Sequence, residues 1–177
     1  MALGWAYYRA KANFDLAASQ VEKAITLNPN DSENYCAKSW LLTCTGDLDG
    51  SVVCASQALR RNPLVPDDCL HTIGIAEYLA GRYEQALFAF GQMSPSRHLD
   101  VCACSAACYA ELGRGDDARR QAEEFLHGAN SDLMQSPALS ADGWRDYWTR
   151  RMPFRDAAQF DRWLNSLRKA GLPANDD

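Results

Sequence analysis

AASQVEKAITLNP at residues 17–29 and SVVCASQALRRNP at residues 51–63 carry one pattern twice: Ala17-x3-Val21-x2-Ala24-x4-Pro29 returns as Ser51-x3-Ala55-x2-Ala58-x4-Pro63, each position displaced by 34. Small or apolar residues at three- and four-residue spacing mark one face of a helix, and a proline just beyond marks its end. Two further copies follow, GRYEQALFAF at 81–90 and Gly113-Arg114-Gly115-Asp116-Asp117-Ala118-x3-Ala122, so the small positions 17, 51, 86 and 118 lie 34, 35 and 32 apart. A small residue at a fixed register is what two closely crossing helices require, since a larger side chain forces them apart. Ahead of each copy runs a helix with large residues on one face, such as Tyr35, Trp40 and Leu42, or Leu70 and Ile73. Gly46, Gly81 and Gly113 are placed to end these helices, because glycine takes the left-handed conformation without steric cost.

A unit of about 34 residues built as helix-turn-helix resembles the tetratricopeptide repeat family. The fold expected is therefore all-α: a right-handed tetratricopeptide superhelix of about four repeats (1–31, 32–65, 67–98 and 99–129) with a C-terminal helical cap over 130–177. The pattern departs from the family at three places. Repeat one carries an extra residue between Tyr8 and Ala17, Met93 replaces the usual alanine of repeat three, and repeat four has Phe125 there and no closing proline.

In the cap, Trp144, Tyr147 and Trp148, then Phe160, Trp163, Leu164 and Leu167, follow helical spacing with Pro153 between the two runs. Two amphipathic helices are expected to fold back over the open end of the last repeat, because a terminal repeat otherwise leaves its apolar face in water. The tail, from Arg151-Met152-Pro153-Phe154 to Leu172-Pro173, together with Leu27-Asn28-Pro29, Arg61-Asn62-Pro63 and Gly81-Arg82-Tyr83-Glu84, resembles the C-terminal repeat region of bacterial class III adenylate or guanylate cyclase-like proteins. That resemblance implies a regulatory or partner-binding piece of a signalling protein, or a stand-alone relative, and leaves open whether Met1 is a gene start. It implies no catalysis by these residues, since the chain has no phosphate-cradling glycine loop or metal-binding aspartate pair.

Composition narrows the function further. Eighteen Lys and Arg against 23 Asp and Glu give a charge of −5, which repels nucleic acid, and the arginine doublets at 60–61, 119–120 and 150–151 form no stripe. No apolar run reaches the ~18 residues that cross a bilayer and no signal peptide opens the chain, so a cytoplasmic protein without a membrane partner is expected. The seven cysteines are odd in number and sit in helical patterns, as reduced thiols filling small gaps do. His98, Cys102, Cys104 and Cys108 invite a zinc reading, but on a helix Cys104 lies about 200° round from Cys102, too far for one tetrahedral ion. Cys69 and His71 diverge by a similar angle and make no thiolate–imidazolium pair. No cofactor, metal or catalytic residue is assigned.

What remains is surface. The first helices of such an array line its concave side, and the candidate peptide-binding groove comprises Arg9, Cys36, Trp40, Thr43, Cys44, His71, Ile75, Tyr78 and Leu79, flanked by Glu33, Asp68, Ala103, Ala107 and Glu111. The family's clamp for C-terminal carboxylates needs Lys, Arg and Asn where this chain has Ala2, Ala6, Ala37, Asp68 and Thr72, so a carboxylate terminus finds no cation. An apolar, aromatic centre at Trp40, Ile75, Tyr78 and Leu79 instead suits an extended or helical peptide of a protein partner; inter-repeat core is the competing reading of the same residues. A non-catalytic interaction module is the expectation, with a client-binding chaperone or a homodimer as alternatives. Leu3, Trp5 and Tyr7, near the start of the first repeat, are the candidates for self-association.

Overall fold

A computed structural model describes residues 13–62, 67–94, 99–133, 141–152 and 154–174. Every regular element among them is helical: α1 (Phe14–Leu27), α2 (Ser32–Thr45), α3 (Leu48–Arg61), α4 (Asp67–Leu79), α5 (Tyr83–Gly91), α6 (Leu99–Glu111), α7 (Gly115–Leu133), α8 (Ala141–Arg151) and α9 (Ala157–Lys169). Each helix from α1 to α7 packs on the next, and α2, α4 and α6 also touch one another in turn. That double contact makes a tetratricopeptide-like superhelix, with α2, α4 and α6 along its inner side and α3, α5 and α7 outside.

The helix boundaries follow from local chemistry. Asn13, Asp31, Asp47 and Asp156 each accept a hydrogen bond from a backbone N–H of the first turn they precede, satisfying donors that have no partner within the helix. The inner helices end on Gly46, Gly81 and Gly113, at φ of +94°, +76° and +73°. The next residue then donates back across the final turn, Asp47 N to Leu42 O at 3.0 Å, Arg82 N to Glu77 O at 2.8 Å and Arg114 N to Tyr109 O at 2.9 Å. The same closure made three times sends each outer helix back along its partner. Pro29 follows the end of α1 as expected, while Pro63 lies outside the described residues.

Close crossing occurs where the small residues recur. Ser51 is buried against α2, its carbonyl accepting from Ser39 Oγ at 2.8 Å and its hydroxyl lying 2.6 Å from Thr43 Oγ1. Hydroxyls at this contact bond one another instead of being stranded away from water. In the next pair Gly74 abuts the Phe90 ring, which a Cβ would overlap, and Ala86 is fully buried. Met93 and Phe125, the departures from the alanine pattern, are both buried in the main core.

The two cap helices pack on one another as well as on the repeats: Trp148 meets Trp163 with ring centroids 6.1 Å apart, and Arg145 donates to Asp161 at 3.2 Å. Helix α8 meets the expectation: Trp144, Tyr147 and Trp148 pack on Phe125 of α7 with ring centroids 6.1, 6.3 and 5.3 Å away. Tyr147 and Arg151 hold Asp100 of α6 at 3.3 and 2.7 Å. Helix α9 lies beside α8, whose Trp148 Nε1 donates to Pro173 O at 3.2 Å, and also reaches along the repeats. The chain turns so that Arg155 N donates to Cys44 O at the end of α2 (2.8 Å), and α9 then packs on the inner side against α6. Its buried face of Phe160, Trp163, Leu164 and Leu167 belongs to the same core as Ile75, Tyr78 and Val101 of the repeats. Burying each such side chain stabilises by roughly 1.5–3 kcal/mol.

Candidate peptide-binding groove

The residues expected to line the groove divide into three environments, with Arg9 outside the described residues. Cys44, Ile75, Tyr78 and Leu79 are buried; α9 contacts Tyr78 and the Leu79 carbonyl, and Arg155, just ahead of α9, meets the Cys44 carbonyl. Trp40 and His71 sit side by side with ring centroids 6.1 Å apart, His71 in turn 6.2 Å from Phe90. Thr43 and Cys36 are not on that wall. Thr43 belongs to the Ser39–Ser51 network between α2 and α3, and Cys36 joins Tyr35, Ala58 and Cys69 in a small separate cluster. Glu33 and Asp68, at the first turns of α2 and α4, are exposed.

Helix α9 engages the inner side through directional contacts. Tyr78 O–H donates to Ser166 Oγ at 2.6 Å, Ser166 O–H donates to Glu111 Oε1 at 2.6 Å, and Lys169 Nζ donates to the two oxygens of Glu111 at 2.8 and 3.0 Å. Arg162 Nη2 donates to Leu79 O at 2.7 Å, filling one of the carbonyls left open where α4 ends. The edge of Tyr78 meets Trp163 at 5.1 Å and 88°, an arrangement the ring quadrupoles favour. Burial pushes the Tyr78 phenol well above its ordinary value, against the opposing effect of Ser166, so it stays a neutral donor. Burial also opposes ionisation of Glu111, but the hydrogen bonds from Lys169 and Ser166 outweigh it and hold the carboxyl below the usual range.

The fit is incomplete in two places. Gln159 Oε1 and Trp163 Nε1 are buried without a hydrogen-bond partner, and both belong to α9 or its first turns. An unmet buried polar atom costs about 1–3 kcal/mol. The walls supplied by the repeats thus receive α9 well in its apolar and charged contacts while two of its own polar atoms go unmet.

Helical spacing marks Phe160, Trp163, Leu164 and Leu167 as one face but does not mark Arg162, Ser166 and Lys169 as its polar anchors. Their signal was faint: Ser166 interrupts an otherwise apolar face, and Lys169 gains meaning only beside Glu111, 58 positions earlier. Of the residues that suggested zinc, Cys102, Cys104 and Cys108 are buried in the main core and His98 lies outside the described residues. Burial pushes the Cys104 and Cys108 thiols up. Among the described residues no three metal-ligating side chains converge, and no helix is long and apolar enough to cross a membrane.

No family profile matches the chain, and no curated protein matches it by sequence. Its fold is similar to the crystal structure of MamA, a tetratricopeptide-like helical repeat protein: the likeness covers 92% of this chain and 90% of MamA, with a TM-score of 0.58 and 14% sequence identity. At that identity the likeness is one of fold alone, and a fold by itself does not fix a function.

Proposed function

We propose that this chain is a non-catalytic protein-interaction module whose inner side, around Trp40, Cys44, His71, Ile75, Tyr78 and Leu79, takes an amphipathic helix of a protein partner. The observation that carries this reading is the seating of α9 on that side, with its apolar face buried and its cations on Glu111 and the Leu79 carbonyl. A helix laid into an apolar groove is a recurring recognition mode, and a chain that offers its own helix displays the complementarity a partner needs. A partner helix would bring an aromatic residue to Tyr78, a hydroxyl between Tyr78 and Glu111, and a cation beyond it. The wider setting, a regulatory part of a cyclase-like or transcriptional signalling protein, rests on the sequence resemblance alone and is tested by reading the gene upstream of Met1.

The binding test uses a labelled peptide of residues 154–174 added to the full chain and to Trp163→Ala, in which the internal helix is weakened. The internal helix lowers apparent affinity by the fraction of molecules in which the groove is closed. The variant is expected to bind the peptide at least about tenfold more tightly than the parent, a difference of about 1.4 kcal/mol. Equal, negligible binding by both, with the variant still folded by circular dichroism, would contradict the groove reading.

A further inference from the structure

Cys36 on α2 and Cys69 on α4 come from the inner helices of successive repeats, and those helices pack directly on one another. The two residues, 6% and 1% exposed, meet beside Tyr35 and Ala58 in a cluster apart from the main core. Both thiols thus sit in one small buried cluster at the junction between repeats. The other cysteines differ. Cys44, Cys102, Cys104 and Cys108 lie in the main core, and burial pushes up Cys54, Cys104 and Cys108. Hydrogen bonding between the two side chains holds Cys69 below the ordinary thiol range despite burial, and raises Cys36. Reactivity of a thiol follows its thiolate character, so Cys69 is the nucleophile of the pair.

We propose that Cys36 and Cys69 form a covalent modification site, at which a small hydroperoxide closes a disulfide between the second and third repeats. The Cys69 thiolate attacks one peroxide oxygen; the O–O bond breaks, a sulfenic acid forms on Cys69, and hydroxide leaves and takes up a proton as water. The Cys36 sulfur then attacks the Cys69 sulfur, the S–O bond breaks, and the hydroxyl leaves as water with the Cys36 proton. The two thiols lose two electrons and the peroxide is reduced to water. Burial selects for a compact oxidant, and the adjacency of Cys36 makes disulfide closure faster than further oxidation of the sulfenic acid. The bond ties α2 to α4 near the exposed Glu33 and Asp68 and restricts the unfolded chain.

The test treats the folded full chain with hydrogen peroxide at doses that oxidise free cysteine in the same tube, then alkylates the remaining thiols and digests with trypsin. Cys36 falls in the peptide spanning 24–38 and Cys69 in that spanning 62–82, each the only cysteine of its peptide. The expected result is loss of two of the seven alkylatable thiols and a reducible species joining these two peptides with two hydrogens fewer than their sum. Cys36→Ser and Cys69→Ser remove that species, and Cys54→Ser keeps it. Retention of all seven thiols, accumulation of Cys69 as sulfinic acid, or a link between other cysteines would overturn the proposal, and each is read on the parent chain whether or not a variant folds.

Discussion

Helices α8 and α9 carry similar aromatic patterns and meet through Trp148 and Trp163, yet α8 packs on the last pair of the repeats while α9 reaches back to α4. Helix α8 places Trp144, Tyr147 and Trp148 on Phe125 of α7 and anchors to Asp100 of α6. Helix α9 buries Phe160, Trp163, Leu164 and Leu167 among α4 and α6 and anchors to Glu111 and the end of α4. The difference teaches that an apolar stripe decides that a helix will dock, whereas the place is chosen by what the neighbouring residues can satisfy. Arg155 donating to Cys44 O brings the chain back to the end of α2, ahead of α9.

The comparison is broken most sharply by truncating one tryptophan from each helix. Trp163 is fully buried and Trp144 only partly so. Trp163→Ala is expected to cost about 3–5 kcal/mol of unfolding free energy, as large core truncations do, and Trp144→Ala clearly less. Urea unfolding of both variants checks the ranking, and an equal or larger loss at Trp144 would mean that α8, not α9, carries the cap.

Much of this architecture was legible beforehand because its causes are local. The register Ala17, Ser51, Ala86 and Ala118 is forced by the close approach of paired helices, and all four are buried. Gly46, Gly81 and Gly113 adopt the left-handed conformation their positions suggested. The course of α9 was not legible, because Ser166, Glu111 and Tyr78 are far apart in the chain and become partners only after the superhelix forms. The same limit separated Thr43 and Cys36 from the other groove residues. Helical spacing places all of them on inner helices, but whether a face meets its own pair, the next repeat or the open side depends on crossing geometry.

A smaller effect sharpens the electrostatic side of the comparison. Glu111, held below its ordinary range, contributes stability that is fully present above the unfolded carboxyl value of about 4.3 and is lost as pH falls through its lower folded value. Glu111→Gln should therefore lose stability near neutrality and show a shallower decline on acidification than the parent, read from urea midpoints across pH. The effect is modest because solvent reaches Lys169 and screens the pair. An unchanged slope in the variant would separate Glu111 from the docking of α9.

The central claim, that α9 lies on the inner side of the repeats, is tested most directly by a double-mutant cycle between Tyr78→Phe and Ser166→Ala. Removing Ser166 Oγ leaves a buried phenol without its acceptor, for an expected single-mutant loss of about 1–3 kcal/mol. If the two hydroxyls meet as described, the double mutant recovers part of the summed losses, with a coupling of about 0.5 kcal/mol or more. Additivity within about 0.3 kcal/mol would place α9 away from Tyr78 and contradict the account.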